Sequence, residues 1–140
     1  QYNSNAQIIM YRNIIKLICN KDITKIQEYE QYYNIKVTCL TAIGYLLSSS
    51  KQNNPKALYM IGRMYFTGII FYKDDNKAFL YLQLSSAQNY KSALLDLSEM
   101  YENGWGIEKN INEAIIYRNL GNIQPIPEQF SFMDMYKLYL

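Results

Sequence analysis

Apolar residues recur at helical spacing through the middle of the chain. Between residues 55 and 67 they fall three to five positions apart, which places them on one face of a helix. Pro55 suits the first turn of that helix, and Gly68 follows where a glycine commonly ends one. A second helix is predicted from Asp74 and Asp75, whose acidic side chains suit the positive end of the helix dipole. The pattern therefore predicts two helices joined by a short loop.

The same pattern returns 36 residues later. The matched pairs are Ala57 and Ala93, Tyr65 and Tyr101, Gly68 and Gly104, Ala78 and Ala114, and Tyr81 and Tyr117. The second copy predicts helices from about residue 91 to 103 and from 112 to 121. The same step backwards leads from Ala78 to Ala42 and from Ser85–Ser86 to Ser49–Ser50. The chain is thus predicted to be all-α and built from repeated antiparallel helix pairs.

The repeated residues resemble the Sel-1-like repeat family, a relative of the tetratricopeptide repeat with units of about 36 residues. The resemblance lies in Ala57-x-x-x-Ile61-Gly62-x-x-Tyr65-x-x-Gly68 followed by Lys77-Ala78-x-x-Tyr81, and in the matching residues from Ala93 to Tyr117. It implies a right-handed α/α superhelix, a solenoid in which each helix pair is stabilised by its neighbours. The first helices of the pairs are then expected to line a concave face.

The repeats divide the chain into a single helical-repeat domain with five parts. We expect a capping helix at 1–20, a degenerate repeat at 21–53, repeats at 54–89 and 90–124, and a C-terminal helix at 125–140. The part at 21–53 is called degenerate because Ile26 and Tyr32 occupy its glycine positions. The chain begins at Gln1 without a methionine or signal pattern, so we expect it to be a piece of a longer protein.

Two departures from the family pattern have structural consequences. Ile70 stands where the family has the second glycine of the loop, so the chain after Gly68 is expected to take another path than the chain after Gly104. Ser98 replaces the glycine matched by Gly62, which is a mild change where helices pack.

Composition excludes several classes of function. The chain has no histidine, so it can hold neither a Ser-His-Asp or Cys-His catalytic set nor an imidazole metal ligand. Its net charge of +2 gives no electrostatic reason to expect a nucleic-acid partner. No apolar run reaches the length of a membrane span, so this segment is not expected to insert into a bilayer. We predict no catalytic residue, cofactor or metal.

The two cysteines are too few for a zinc site. Cys19 and Cys39 are interpreted as small buried apolar residues, with a single bridge between them as the alternative.

Candidate partner-binding residues are the first-helix positions expected to be exposed, namely Tyr59, Arg63 and Phe66 in one repeat and Leu95, Glu99 and Glu102 in the next. Arginine and aromatic residues are enriched at the centres of protein interfaces. The pair Glu99 and Glu102 also fits a solvated helix face. Trp105, the only tryptophan, is interpreted as packing between adjacent repeats, with ligand contact as the alternative.

The loop at 69–72 is unusually apolar. The resemblance predicts that Phe71 is buried like Ile107, whereas the other residues form either an exposed patch for a partner or a segment covered by a neighbouring helix.

The leading hypothesis is a non-enzymatic adaptor that binds a protein or peptide on its concave face. The resemblance implies work in multiprotein complexes, with endoplasmic-reticulum-associated degradation and signalling assemblies as known settings. One alternative is a structural segment that spaces or self-associates a longer solenoid. Another is kinship with cysteine-rich relatives linked to β-lactam binding or hydrolysis, but this chain lacks their regular cysteine pairs and any nucleophile–base set.

Overall fold

A computed structural model describes residues 2–123, and all the regular secondary structure within that range is helical, without strands. This confirms the predicted all-α class. Its helices are α1 (Ser4–Asn20), α2 (Ile23–Tyr33), α3 (Cys39–Lys51), α4 (Pro55–Thr67), α5 (Asp75–Ser86), α6 (Lys91–Asn103) and α7 (Ile111–Ile123). They fall into two compact units, residues 2–52 and residues 53–123. The C-terminal helix predicted after Pro125 and Pro127 lies outside the described residues.

Helices α4 and α6 begin and end where the sequence predicts. The side chain of Asn54 caps the first turn of α4 by accepting hydrogen bonds from the backbone amides of Lys56 and Ala57 at 3.0 and 3.3 Å. Gly68 ends α4 and Gly104 ends α6, both in the left-handed conformation with φ of 69° and 72°. Glycine adopts this conformation without steric cost, which explains its recurrence at these two positions.

Within residues 53–123 the helices pack as two pairs, α4 with α5 and α6 with α7. Stacked tyrosine rings join the two helices of each pair. The ring centroids of Tyr65 and Tyr81 are 5.7 Å apart, and those of Tyr101 and Tyr117 are 5.5 Å apart. The step of 36 residues therefore corresponds to a repeated contact.

Alanines at matched positions show the same environment. Ala57 and Ala93 are completely buried in α4 and α6, and Ala78 and Ala114 are buried in α5 and α7. A methyl group at each position lets the paired helices approach closely, which a larger side chain would prevent.

The two pairs share one core. It consists of Ala78, Phe79, Leu82, Ala93, Leu97 and Met100, so it joins α5 to α6. The α6–α7 loop also lies against the start of α5, because a Cβ atom added to Gly106 would come within 2.2 Å of the carbonyl oxygen of Asp75. Only glycine fits there.

The departures from the family pattern are accommodated locally. Ile70 is not among the residues with positive φ, so the loop after Gly68 takes a different path, as expected. Gly62 has little room, since an added Cβ would lie 3.0 Å from Leu82. At the matched position, Ser98 uses its hydroxyl to donate a 2.7 Å hydrogen bond to the carbonyl oxygen of Ala114.

Residues 2–52 contain one helix pair, α1 with α3, and an additional helix, α2, between them in sequence. Helix α3 packs against α1, whereas α2 buries no side chain and touches α1 at few points. The start of α3 follows the start of α1 by 35 residues, compared with 20 residues between the starts of α4 and α5. Helix α2 occupies the additional length.

The pairing of α1 with α3 repeats hydrogen bonds of the later pair. The Ser49 hydroxyl donates to the carbonyl oxygen of Ser4, the first residue of α1, at 2.8 Å. Correspondingly, the Ser85 hydroxyl donates to the carbonyl oxygen of Pro55, the first residue of α4, at 2.7 Å. We call this bond the serine clip. In this contact α1 occupies the place that α4 takes in the later pair.

Three residues after the serine of each clip, a glutamine side chain forms a second hydrogen bond to the same end of the pair. The Gln52 side chain donates to the carbonyl oxygen of Tyr2 at 3.3 Å, and that of Gln88 donates to the carbonyl oxygen of Asn53 at 2.9 Å. Each acceptor lies two residues before the first helix of its pair.

The prediction that the cysteines are buried is wrong. Cys19 and Cys39 are both free thiols and both exposed, because they lie in the last turn of α1 and the first turn of α3. The buried face of α1 is formed by residues nearer its middle, including Tyr11 and Ile14.

No described helix combines the length and apolar character that spanning a bilayer requires.

Candidate partner-binding surface

Three of the candidate residues lie on α4 at its junction with α6. Tyr59, Arg63 and Phe66 are half-buried rather than fully exposed, because residues of the following repeat cover part of each side chain. Tyr59 packs on Tyr90 with ring centroids 5.2 Å apart. Burial and the nearby carboxylate of Asp96 raise the pKa of the Tyr59 hydroxyl, so it remains protonated and able to donate a hydrogen bond.

Arg63 forms an ion pair with Asp96, which links α4 to α6. Its Nη1 atom lies 3.1 Å from Oδ2 of Asp96, and the two side chains are only 21% and 19% exposed. Burial raises the pKa of the Asp96 carboxyl to about 6, and the neighbouring Glu99 adds to the rise while Arg63 opposes it. Arg63 therefore connects the first repeat to the second through this ion pair.

Phe66 forms an aromatic pair with Trp105 of the next repeat. Their ring centroids are 5.4 Å apart at a tilted angle, and Trp105 is 39% exposed. The Lys73 ammonium lies 4.5 Å from the centroid of the Phe66 ring and donates to the Phe66 carbonyl oxygen at 2.8 Å. Trp105 thus both packs between repeats and presents part of its ring to solvent.

These residues border a narrow cleft. It is lined by Arg63, Phe66, Leu82, Asp96, Glu99, Met100 and Trp105, and we call it the junction cleft. Glu99 is exposed at its edge. Among the described residues, the ion pairs of this region are Arg63 with Asp96, Lys73 with Asp75 and Arg118 with Glu102. The Glu99 carboxylate belongs to none of them, so the edge of the cleft carries negative charge.

The other two candidates face their own helix partner. Leu95 packs on Gly121 of α7, where an added Cβ would come within 2.7 Å of a Leu95 methyl group. Glu102 pairs with Arg118 of α7. The structure therefore brings Arg63, Phe66 and Glu99 to one cleft, while the described contacts of Leu95 and Glu102 are with α7.

Sequence reasoning missed Asp96. It occupies the position that matches Met60, which is 4% exposed. A lone acidic residue at a position that is apolar in the preceding repeat is a usable signal, because a buried carboxylate requires a partner.

The loop at 69–72 is partly covered. Phe71 is half-buried and stacks on Tyr65 with ring centroids 4.7 Å apart, whereas Tyr72 is 98% exposed. Ile69 and Ile70 are half-buried. Phe71 therefore packs against its own repeat, whereas Tyr72 is exposed to solvent.

No group of three or more cysteine, aspartate or glutamate side chains within residues 2–123 is arranged to hold a metal ion.

Comparison with known families explains the recurring contacts. The family model described as "Sel1 repeat" matches residues 55–90 and 91–117. Residues 55–117 are two Sel1 repeats. Proteins built from Sel1 repeats generally mediate protein–protein interactions and generally act as non-catalytic scaffolds.

Solved Sel1-repeat structures show the same fold. A Sel1 repeat protein from Oxalobacter formigenes is 17% identical, with a TM-score of 0.60 over 66% of this chain and 70% of that one. A protective antigen present in uropathogenic Escherichia coli strains, which displays an SLR fold, is also 17% identical, with a TM-score of 0.57 over 74% of this chain. The match spans 21% of the antigen's length. No curated protein matches the sequence.

Proposed function

We propose that this chain is a protein-interaction module that binds a protein or peptide segment on the surface around the junction cleft. The observation that carries the proposal is the partly exposed Phe66–Trp105 pair beside the exposed carboxylate of Glu99. Aromatic side chains with a polar rim are typical of the energetic centres of interfaces. Such a module would link its partner to a larger assembly, which is the adaptor role that the repeat family implies.

The chemistry of the cleft favours a basic partner segment. A lysine or arginine side chain could lie along the exposed face of Trp105 and place its cation beside Glu99, since cations are attracted both to aromatic faces and to carboxylates. An apolar neighbour in the same segment would contact Phe66. We therefore propose a short segment that carries lysine or arginine next to an apolar residue.

Trp105 provides a direct probe, because it is the only tryptophan in the chain. Short basic, neutral and acidic peptides would be titrated while its fluorescence is recorded. We expect basic peptides with an apolar neighbour to shift the emission saturably, and we expect added salt to weaken their binding because salt screens exposed charges.

Glu99→Lys should weaken that binding by about tenfold, equivalent to ~1.4 kcal/mol. The matched control is Glu108→Lys, which makes the same charge change at another exposed glutamate of the same repeat. If both variants bind the peptides equally, or if acidic peptides bind better than basic ones, the proposal is wrong. A chain that only spaces other parts of an assembly would give no saturable shift with any peptide.

A further inference from the structure

The second helices of the two Sel1 repeats are apolar on their outer side as well as in the core. On α5, the core side consists of residues such as Ala78 and Leu82, which are 0% and 1% exposed. Leu80 and Leu84 point the other way and are 56% and 52% exposed. A helix at the surface of a soluble domain normally carries polar residues on that side.

The next repeat carries the same feature at the same positions. Ile116 and Leu120 of α7 follow Leu80 and Leu84 by 36 residues and are 50% and 38% exposed. Single exposed apolar residues are common on protein surfaces, whereas here the same two positions are apolar and exposed in both repeats. In residues 2–52 the same step leads to Gly44 and Ser48, so the row is confined to the two repeats.

The polar residues within this row are uncharged. Helical spacing places Asn76 and Gln83 beside the leucines of α5, and Asn112 and Asn119 beside the apolar residues of α7, and all four are exposed. Charged side chains appear only at its margin, as Lys77 on α5 and Glu113 on α7. We call the surface formed by Leu80, Leu84, Ile116, Leu120 and these four amides the outer face.

We propose that the outer face is the contact surface for a second copy of this chain. A symmetric dimer brings a patch against its own copy, so the patch must be complementary to itself. A neutral apolar face meets this condition, because two copies approach without repulsion between like charges. Amide side chains meet it too, since each both donates and accepts hydrogen bonds and can pair with an identical group.

This charge pattern favours a second copy over a strongly charged partner. An acidic or basic partner would find no counter-charge at the centre of the outer face. No residue of the outer face lines the junction cleft. We therefore expect self-association and peptide binding to be separate properties of the chain.

The test is the mass of the whole 140-residue chain in solution. Sedimentation equilibrium over a wide range of concentrations should show a reversible monomer–dimer equilibrium. A double variant, Leu84→Glu with Ile116→Glu, should weaken the dimer by about tenfold or more, because it places like charges on both sides of the contact. Tyr72→Glu is the matched control, since Tyr72 is exposed on a loop outside the face, and it should dimerise like the unmodified chain.

A mixing experiment separates loss of the contact from loss of the fold. The Leu84→Lys, Ile116→Lys variant should also be monomeric alone, and mixing it with the glutamate variant should restore a heterodimer through opposite charges. Two results would overturn the proposal. One is an unmodified chain that stays monomeric at every concentration, whether or not it binds lipid vesicles. The other is a dimer that the variants of the outer face leave unchanged.

Discussion

At the scale of single residues, the joint between the two Sel1 repeats contains a largely buried carboxylate, that of Asp96. Asp96 faces Arg63 and Tyr59 from α4 and Glu99 from its own helix. Its pKa is raised to about 6 in the folded chain, mainly by burial, so the fold binds this proton more tightly than the unfolded chain does. The stabilising contribution is therefore complete below about pH 4 and is lost as the pH rises to about 6.

This linkage predicts a difference between the unmodified chain and Asp96→Asn. The free energy of unfolding of the unmodified chain should fall relative to the variant by on the order of 2 kcal/mol between pH 4 and pH 6, because only the carboxyl titrates. Urea unfolding across this pH range measures the difference. For the control Glu108→Gln, at an exposed site, the free energy of unfolding should change with pH as it does in the unmodified chain. If Asp96→Asn also follows the unmodified chain, the raised pKa does not belong to Asp96.

Individual residues also show which contacts the sequence could predict. The glycines that end α4 and α6 were predictable, because they follow helical patterns at a position where the left-handed conformation is needed. The partnership of Arg63 with Asp96 was not, since the two lie 33 residues apart and only packing of α4 on α6 makes them neighbours. The exposure of Tyr59 and Phe66 was overestimated for the same reason, because helical spacing within one repeat ignores the cover that the next repeat provides.

At the scale of the helices, the serine clip fastens the end of α5 to the start of α4 and the end of α3 to the start of α1. Ser85→Ala should lower the free energy of unfolding by about 1–2 kcal/mol, because it removes a hydrogen bond between helices at a completely buried site. Ser86→Ala is the control, since the Ser86 hydroxyl donates only to Gln83 of its own helix. Its cost should be about half a kcal/mol or less.

The same comparison tests the pairing of α1 with α3. We propose that these helices form a repeat-like pair into which α2 is inserted. Ser49→Ala should then cost about as much as Ser85→Ala, within roughly 0.5 kcal/mol, and more than Ser50→Ala, because Ser50 bonds within α3 to the Leu47 carbonyl oxygen. Urea unfolding of the four variants decides this, and equal effects of Ser49→Ala and Ser50→Ala would count against the pairing.

The regular step of 36 residues explains why α4 to α7 were easier to predict than α1 to α3. A fixed step identifies both helices of a repeat from the positions of a few alanines and tyrosines. In residues 2–52 the step from Tyr65 leads back to Tyr29, which lies on α2 rather than on the helix paired with α3. The insertion that we propose thus leaves α3 recognisable by the step and moves α1 out of register with it.

At the scale of the molecule, the chain combines two surfaces that are expected to act independently. Glu99→Lys should weaken peptide binding at the junction cleft and leave the monomer–dimer equilibrium unchanged, because Glu99 lies outside the outer face. The pair Leu84→Glu and Ile116→Glu should have the opposite effects. Fluorescence titration and sedimentation of both variants would establish this independence, whereas a parallel loss of both activities would indicate that they share a surface or depend on a common structural change.

The position of Gly106 has a consequence for how such a chain can gain length. Because no side chain fits between Gly106 and the backbone of Asp75, the loop between α6 and α7 requires glycine at the point where it packs on the preceding repeat. The connection between α1 and α3, by contrast, contains an entire helix, and the two helices are still hydrogen-bonded through Ser49 and Ser4. Added residues are thus accommodated in a connection whose helix buries no side chain, whereas the Gly106 loop is held against the preceding repeat.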